Sequence, residues 1–310
     1  MTTHSTTASN GTPAAAAGTW RLGDRTVNRI GFGAMRLPGR PTDAKPRDRG
    51  DAIAVLRRAV ELGVNHIDTA AFYFLPTRSS NELISTALQP YPDDLVIVTK
   101  VGPGRTRDGH FEYARPDQLR AQVEENIRQL GLDHLEVVNL RWGTGLGKEP
   151  GSVAEHFGAL AELREAGLVR HLGVSNVTPE QLAEAMEIAP VVCVQNRYGL
   201  TEREDDALVD LCAEHGIAFV PFFAIGPAVP GAIPDGTHHT AGEAEIAQIA
   251  KAHDATPAQI RLAWTLHRGD HILAIPGTGD VAHLEENVAA GAIRLSADEL
   301  ALLDGIAGNG

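Results

Sequence analysis

The chain has 310 residues, 43% of them hydrophobic, and carries a formal net charge of −13. This length and apolar content suffice for one large α/β barrel or for two smaller domains. The acidity argues against binding nucleic acid or an anionic membrane by bulk electrostatics, and every apolar run is too short for a membrane span.

Residues 1–18 are rich in Thr, Ser, Ala and Gly and contain no acidic residue, so we expect a disordered tail there. They lack the charged start followed by an apolar block that marks a signal peptide. The two cysteines, Cys193 and Cys212, fall in a predicted buried strand and a predicted helix. They resemble neither a disulfide framework nor a metal set, and we therefore expect a cytoplasmic protein.

After the tail, short apolar runs alternate with amphipathic segments. Most runs are rich in Val and Ile without strict alternation, as expected for parallel strands covered on both faces. They lie at residues 29–32, 65–68, 95–100, 135–141, 169–174, 191–195, 218–222 and 272–275. The segment 20–28, with Gly23-Asp24 at its centre, predicts a β-hairpin before the first run.

The intervening segments carry the end signals of helices. Segments 51–62, 116–130 and 155–166 are each followed by glycine. Thr178-Pro179 and Thr256-Pro257 each place a capping threonine before a first-turn proline.

Eight strands alternating with helices predict a (β/α)8 barrel that forms a single domain over residues 19–310. A doubly wound sheet is the competing architecture. It needs a glycine-rich turn after its first strand, and Gly31-Phe32-Gly33 lacks both the third glycine and the helix start that should follow.

Four polar residues fall at one end of this predicted barrel, where barrel enzymes hold their chemistry. Asp68, Lys100 and Arg141 end the second, third and fourth strands, and Tyr73 follows Asp68 in the next loop. A phenol is a poor acid because its unperturbed pKa is about 10, and a neighbouring ammonium lowers that pKa. Asp68, Tyr73 and Lys100 therefore predict a proton donor for a carbonyl oxygen, acting together with a hydride donor.

The chain resembles an aldo-keto reductase over nearly all of the residues that follow the predicted tail. The strings that carry the resemblance occur in order at strand ends: Gly31-Phe32-Gly33-Ala34-Met35, Asn65-His66-Ile67-Asp68-Thr69-Ala70 with Tyr73, Val98-Thr99-Lys100, Gly173-Val174-Ser175-Asn176, Val194-Gln195-Asn196, Val220-Pro221-Phe222-Phe223, and Ile275-Pro276-Gly277-Thr278 with Glu286-Asn287. Asn139-Leu140-Arg141 and Pro221-Phe222-Phe223 resemble the branch of bacterial pyridoxal reductase-like oxidoreductases.

The resemblance implies that Tyr73 is the general acid, Lys100 lowers its pKa, and Asp68 pairs with the lysine. The family usually has a histidine where this chain has Arg141. Arginine does not release its proton, but it can stabilise an oxyanion or hold a phenol or an acidic substrate. Asn139 lies on the same strand face, one layer deeper. We expect Asn139 and Trp142 to line the substrate pocket.

The resemblance also implies a nicotinamide dinucleotide bound over the barrel mouth. Ser175, Asn176 and Gln195 match the residues that hold its carboxamide, and Phe222 matches the aromatic residue, usually tyrosine, that stacks on the ring. The remaining expected contacts are Gly33, Met35, Gly277, Thr278, His283, Glu286 and Asn287. The basic residues that often grip a 2′-phosphate fall here at Gly277 and His283, although Thr278 and the following helix start can bind phosphate. We expect NADPH and leave NADH open.

These features predict a reductase of a small aldehyde or ketone, with a pyridoxal-like aromatic aldehyde as the first candidate. A ketoreductase or dehydrogenase acting on a natural product or a sugar is one alternative, and a non-catalytic cofactor-binding regulatory subunit is another. The Gly/Pro-rich segment 224–241 is expected to close over the cofactor, and the basic run 45–49 to be a surface loop. We predict no metal site at His238-His239, and the oligomeric state stays open.

Overall fold

The computed structural model describes residues 11–39, 47–75, 77–105, 111–226 and 242–307. The strands are β1 (Thr19–Leu22), β2 (Arg25–Asn28), β3 (Phe32–Gly33), β4 (His66–Asp68), β5 (Phe74–Leu75), β6 (Arg78–Ser79), β7 (Val96–Val101), β8 (Pro103–Arg105), β9 (Phe111–Tyr113), β10 (Leu135–Arg141), β11 (Val169–Ser175), β12 (Val191–Gln195) and β13 (Ala218–Phe219). The α-helices are α1 (Arg49–Glu61), α2 (Ser80–Leu88), α3 (Leu119–Leu130), α4 (Ala154–Glu165), α5 (Pro179–Ile188), α6 (Asp206–Glu214), α7 (Glu243–Ala252), α8 (Pro257–His267), α9 (Val281–Ala289) and α10 (Ala297–Ala307).

Seven parallel strands form one sheet in the order β13-β12-β11-β10-β7-β4-β3. Its two edges are joined by the last predicted run, in which Ile272 bridges Phe219 and Ala274 bridges Ile30. Leu273 N donates to Phe219 O at 2.9 Å, and Gly31 N donates to Ala274 O at 2.8 Å. The sheet therefore closes on itself, which confirms the (β/α)8 barrel and contradicts the open, doubly wound alternative.

Three predicted strands are shorter than expected. The run 29–32 is a strand only at Phe32–Gly33, with a single bridge at Ile30. The run 218–222 is a strand only at Ala218–Phe219, because Pro221 has no N–H to donate to a ladder. The run 272–275 makes single bridges in place of a ladder. The hairpin is confirmed as β1 and β2, which pair antiparallel. Leu22 and Val27 of this hairpin pack with inward-facing strand residues such as Val98 and Leu273, and so contribute to the core inside the barrel.

The predicted helix starts are confirmed at α5 and α8. Thr178 and Thr256 each accept a hydrogen bond at 3.3 Å from the backbone N–H three residues on. The glutamine at that third position bonds back to the threonine N–H in both helices, which completes a capping box. Within the described residues, no helix combines the length and apolar character that a membrane span needs.

The prediction of a disordered tail over residues 1–18 is wrong for its last residues. Residues 13–17 form a short 3-10 helix in which Ala14 and Ala17 are buried. Ala14 N donates to Leu62 O at 2.9 Å, and Arg294 Nη2 donates to Ala16 O at 2.6 Å. Small alanine side chains let the backbone approach its neighbours closely enough for these bonds, which a composition argument does not detect. Residues 1–10 lie outside the described residues.

His66 gives the fold an expected sensitivity to acid. Its side chain is buried in β4, where burial lowers the pKa of His66 to about 4. Between pH 6.5 and 4 the unfolded chain therefore binds a proton that the folded chain does not. The contribution of His66 to stability is complete above pH 6.5 and falls by about 3 kcal/mol by pH 4.

We expect the difference in unfolding free energy between the wild type and His66→Gln to change by this amount across that pH range. Urea denaturation at several pH values measures it. The exposed His134, replaced by Gln in the same way, is the matched control. Equal pH slopes in wild type and His66→Gln would mean that the buried ring takes up a proton without cost.

Candidate active site

A buried ion pair lies at the carboxyl ends of two adjacent barrel strands. Asp68 ends β4, and Lys100 precedes the last residue of β7. Lys100 Nζ donates to Asp68 Oδ1 at 2.6 Å and to Thr69 O at 3.0 Å. The lysine and aspartate side chains are only 4% and 6% exposed. Burial opposes the lysine charge, but Asp68 and Tyr73 outweigh it and hold the pKa of Lys100 above its usual value.

The same carboxylate reaches across the barrel to a third strand. Gln195 Nε2 at the end of β12 donates to Asp68 Oδ2 at 2.8 Å. The amide is thereby fixed in orientation, and its Oε1 is buried with no hydrogen-bond partner among the described residues. A buried acceptor of this kind suits a ligand N–H donor.

Tyr73 lies beside the ion pair, in the loop that follows β4. Tyr73 N donates to Ala70 O at 3.0 Å, which forms a turn, and Lys100 Nζ is 4.8 Å from the centre of the phenol ring. Burial raises the pKa of Tyr73, and the Lys100 charge only partly offsets this. The net direction is opposite to the expected lowering, because burial and the Asp68 charge both favour the neutral phenol. Tyr73 therefore keeps its proton at neutral pH, as a proton donor must.

Arg141 ends β10 next to Ser175 of β11. Its Nη2 donates to Gly145 O at 2.6 Å, whereas Nη1 is 3.5 Å from Ser175 Oγ. Its Cζ is 5.3 Å from the centre of the Phe222 ring. Burial lowers the pKa of Arg141, although a guanidinium stays charged at any physiological pH.

The two expected pocket residues occupy different places. Asn139 pairs in register with Lys100, one layer below Arg141, and its Oδ1 accepts from Cys193 Sγ at 3.0 Å. Its Nδ2 is buried without a partner among the described residues. Trp142 instead packs edge to face with Tyr113 of β9, with ring centres 5.4 Å apart.

The three expected carboxamide residues end neighbouring strands. Ser175 and Gln195 are the last residues of β11 and β12. Asn176 follows Ser175 with a left-handed backbone (φ 64°), and its Nδ2 donates to Trp142 O at 3.1 Å and Gly147 O at 2.8 Å. Phe222 lies beyond the end of β13, makes a single bridge to Arg197, and is near Arg141. Asn176 N donates to Gln195 O at 3.0 Å, and Ser175 and Phe222 both lie next to Arg141.

Gly33 and Gly277 meet where the barrel closes. A Cβ on Gly33 would lie 2.6 Å from Ile275 O, and a Cβ on Gly277 would lie 2.5 Å from Gly33 O. Only glycine allows these two backbones to approach so closely. Met35 lies two residues after Gly33 in a short 3-10 turn and is partly exposed.

The other expected cofactor residues surround the start of α9. Thr278 Oγ1 accepts from Asp280 N at 3.1 Å, and Asp280 caps the helix by accepting from His283 N at 3.0 Å. His283 and Glu286 are exposed, whereas Asn287 is buried. The side chains of the first turn of α9 therefore include no lysine or arginine that could bind a phosphate group.

The sequence analysis did not identify Arg47, whose side chain reaches the start of α9. Arg47 Nη1 donates to Gly279 O at 2.9 Å, and its Nε is buried without a partner among the described residues. The only sequence signal was the basic run 45–49, which we interpreted as a surface loop. Arg47 is packed against the loop before α9, and Arg49 opens α1.

The loop that follows Arg141 was also missed. Gly145 O and Gly147 O accept from Arg141 and Asn176, and Lys148 forms an ion pair with the buried Asp205. These bonds hold the loop against the site residues. The predicted closing segment falls largely outside the described residues, since 227–241 are not among them; His238 and His239 lie there too.

Comparisons with known proteins agree on one family. The model of the Aldo/keto reductase family matches residues 29–307. Pyridoxine 4-dehydrogenase of Escherichia coli (strain K12) is 48% identical over 291 residues, which are 93% of this chain and 98% of the relative. A thermostable aldo-keto reductase crystallised with epalrestat has a TM-score of 0.77 at 30% identity, covering 93% of this chain and 99% of that one. The aldo-keto reductase of Klebsiella pneumoniae in complex with NADPH has a TM-score of 0.75 at 27% identity, covering 93% and 94%.

Proposed function

This chain belongs to the aldo/keto reductase family and is an oxidoreductase, and we propose that it reduces a pyridoxal-like aromatic aldehyde with NADPH. The observation that carries the proposal is the buried Lys100–Asp68 ion pair beside the protonated phenol of Tyr73. The relative that acts on pyridoxine supports the substrate class, because it is 48% identical over nearly the whole chain.

In the proposed reaction, Tyr73 gives its phenolic proton to the carbonyl oxygen. Bound NADPH supplies the hydride that the carbonyl carbon accepts. The charge left on the Tyr73 oxygen is stabilised by Lys100, which already lies against the ring. Asp68 keeps Lys100 charged and in place. The phenol thus starts the reaction protonated and ends it as a phenolate next to a cation, which favours proton transfer.

The residues present fit a nicotinamide at this mouth. The unpartnered Gln195 Oε1 suits the N–H of a carboxamide, and Ser175 and Asn176 stand on the adjoining strand end. Phe222 offers a ring face. A Klebsiella pneumoniae family member that binds NADPH supports NADPH over NADH. We also place the protein in the cytoplasm, since Cys193 and Cys212 are buried free thiols.

For the extra phosphate of NADPH we propose Arg47, whose Nε has no hydrogen-bond partner among the described residues. Arg47→Ala is expected to weaken NADPH binding by about tenfold, the size of one charge-assisted hydrogen bond. NADH binding should change much less. Quenching of tryptophan fluorescence by each cofactor measures both dissociation constants.

Arg49→Ala is the matched control for this prediction. Arg49 comes from the same basic run but pairs with Glu82 on the surface. An equal loss of NADPH and NADH affinity in Arg47→Ala would assign Arg47 to holding the loop at Gly279, with no part in phosphate binding.

The decisive experiment follows nicotinamide absorbance with purified protein, offering NADPH and NADH with pyridoxal, benzaldehyde, a sugar aldehyde and a ketone. We expect NADPH oxidation that is fastest with pyridoxal. Preference for the sugar or the ketone would favour the ketoreductase or dehydrogenase alternative. Tight cofactor binding with no turnover on any carbonyl would favour the regulatory subunit.

A further inference from the structure

Arg141 is a buried cation that forms no ion pair within the described part of the chain. The residue is 9% exposed, and the ion pairs among the described residues do not include it. Glu149 influences it electrostatically, but that carboxylate accepts from Thr144 N at 3.0 Å instead. Buried charges in proteins are normally paired, because an unpaired one is costly to desolvate.

The charges around Tyr73 do not balance. Lys100 and Arg141 contribute two positive charges, and Asp68 contributes one negative charge that is already shared between Lys100 and Gln195. Among the described residues, no carboxylate forms an ion pair with Arg141, although Glu149 acts on it electrostatically. A ligand that carries one negative charge would balance the site.

The guanidinium also has a free hydrogen-bonding edge. Nη2 is satisfied by Gly145 O at 2.6 Å, whereas the 3.5 Å separation of Nη1 from Ser175 Oγ is at the limit for a hydrogen bond. The charge of Arg141 reaches the phenol of Tyr73, so the two groups share one part of the site. Histidine at this position would present a single N–H, but arginine presents a planar fork.

We propose that Arg141 binds an ionised oxygen on the ring carbon next to the aldehyde, which makes the enzyme selective for ortho-hydroxy aromatic aldehydes. This inference rests on the proposed function and names its substrate class. Tyr73 bonds to the carbonyl oxygen, and Arg141 bonds to the neighbouring phenolate oxygen. Pyridoxal has this arrangement, because its ring hydroxyl is adjacent to its aldehyde.

The test compares benzaldehyde, 2-hydroxybenzaldehyde and 4-hydroxybenzaldehyde as substrates with NADPH. In the wild type we expect kcat/KM for the 2-hydroxy compound to exceed the other two by about 10- to 100-fold, as for a charge-assisted hydrogen bond. In Arg141→Gln this ratio should fall close to one. Arg141→Lys should keep part of it, because lysine retains the charge but loses the fork.

The ratio of kcat/KM values distinguishes binding of the 2-hydroxy group by Arg141 from an indirect effect on the loop at Gly145. Loss of the bond to Gly145 O would lower kcat/KM for all three aldehydes alike and leave their ratio unchanged. A 2-hydroxy preference that persists in Arg141→Gln would overturn the inference and leave the reductase intact. Failure of every aldehyde to oxidise NADPH would overturn the proposed function.

A second readout needs no turnover. Titrating 2-hydroxybenzaldehyde into the enzyme–NADP+ complex should produce the near-ultraviolet absorption of a phenolate at a pH where the free aldehyde is mostly a phenol. The signal should vanish in Arg141→Gln. Binding of the un-ionised phenol by the wild type would overturn the assignment of Arg141, whatever the outcome of the kinetic assay.

Discussion

Tyr73→Phe is expected to lower kcat for aldehyde reduction by about 10²- to 10⁴-fold, the usual contribution of a positioned general acid. The substitution removes only the hydroxyl. The remaining ring can keep its edge-to-face contact with Phe72, at 5.1 Å between centres, and its place against Lys100. NADPH binding should persist, because the proposed carboxamide contacts come from other strands. Steady-state rates and cofactor titration measure the two effects separately.

Tyr91→Phe is a suitable control for that loss. Its hydroxyl donates to Leu130 O at 2.7 Å, so its removal also deletes a tyrosine hydrogen bond. Tyr91 lies before the start of β7, at the end of the barrel opposite the mouth. We expect kcat to stay close to the wild-type value in this variant. If Tyr73→Phe retained a similar rate, the proton would have to come from water or from another group, and the proposed role of Tyr73 would fail.

Local sequence signals were sufficient to predict the barrel. Val- and Ile-rich runs and glycine or threonine-proline helix ends need only neighbouring residues, and the structure confirms most of them, from Val96–Val101 to the capping box at Thr256. The closing run 272–275 was predicted as a strand, but its single bridges depend on where the two sheet edges meet. That depends on the curvature of the whole sheet, which no short window of sequence contains.

The site was predicted as a set of residues but not as a network. Asp68 and Gln195 were expected to serve the proton donor and the cofactor respectively. The hydrogen bond between them joins residues 127 positions apart, so the two proposed roles share one carboxylate. The net rise in the pKa of Tyr73 was missed for the same reason, because burial depends on packing from several strands.

Arg47 and Ala14 lie in segments whose structure is wrongly predicted from composition alone. A basic run suggests a solvated loop and an Ala-rich start suggests a tail, but Arg47 and Ala14 each donate a hydrogen bond to the backbone of a distant residue. Arg47 bonds to Gly279 O, and Ala14 bonds to Leu62 O. Neither contact depends on a large apolar side chain, so hydrophobic patterning gives no sign of it.

The buried Lys100–Asp68 ion pair is expected to contribute strongly to the stability of the fold as well as to the proposed reaction. Lys100→Met is expected to lower the free energy of unfolding by about 3–5 kcal/mol, because it leaves the Asp68 carboxylate buried without its cation. The hydrogen bond from Gln195 remains, but an amide does not neutralise a charge. Chemical denaturation of the purified variant measures the loss.

Adding Asp68→Asn to Lys100→Met should restore part of that stability, since neither partner is then charged. The surface pair Arg128–Glu125 is the matched control: its 2.7 Å separation is nearly that of Lys100–Asp68, but its side chains are 71% and 42% exposed. Arg128→Met should change the unfolding free energy little, because water solvates the glutamate left behind. If Lys100→Met cost no more than Arg128→Met, water would have to reach Asp68. A hydrated Asp68 carboxylate would attract Lys100 only weakly. The proposed stabilisation of the Tyr73 phenolate would then have to come from Arg141.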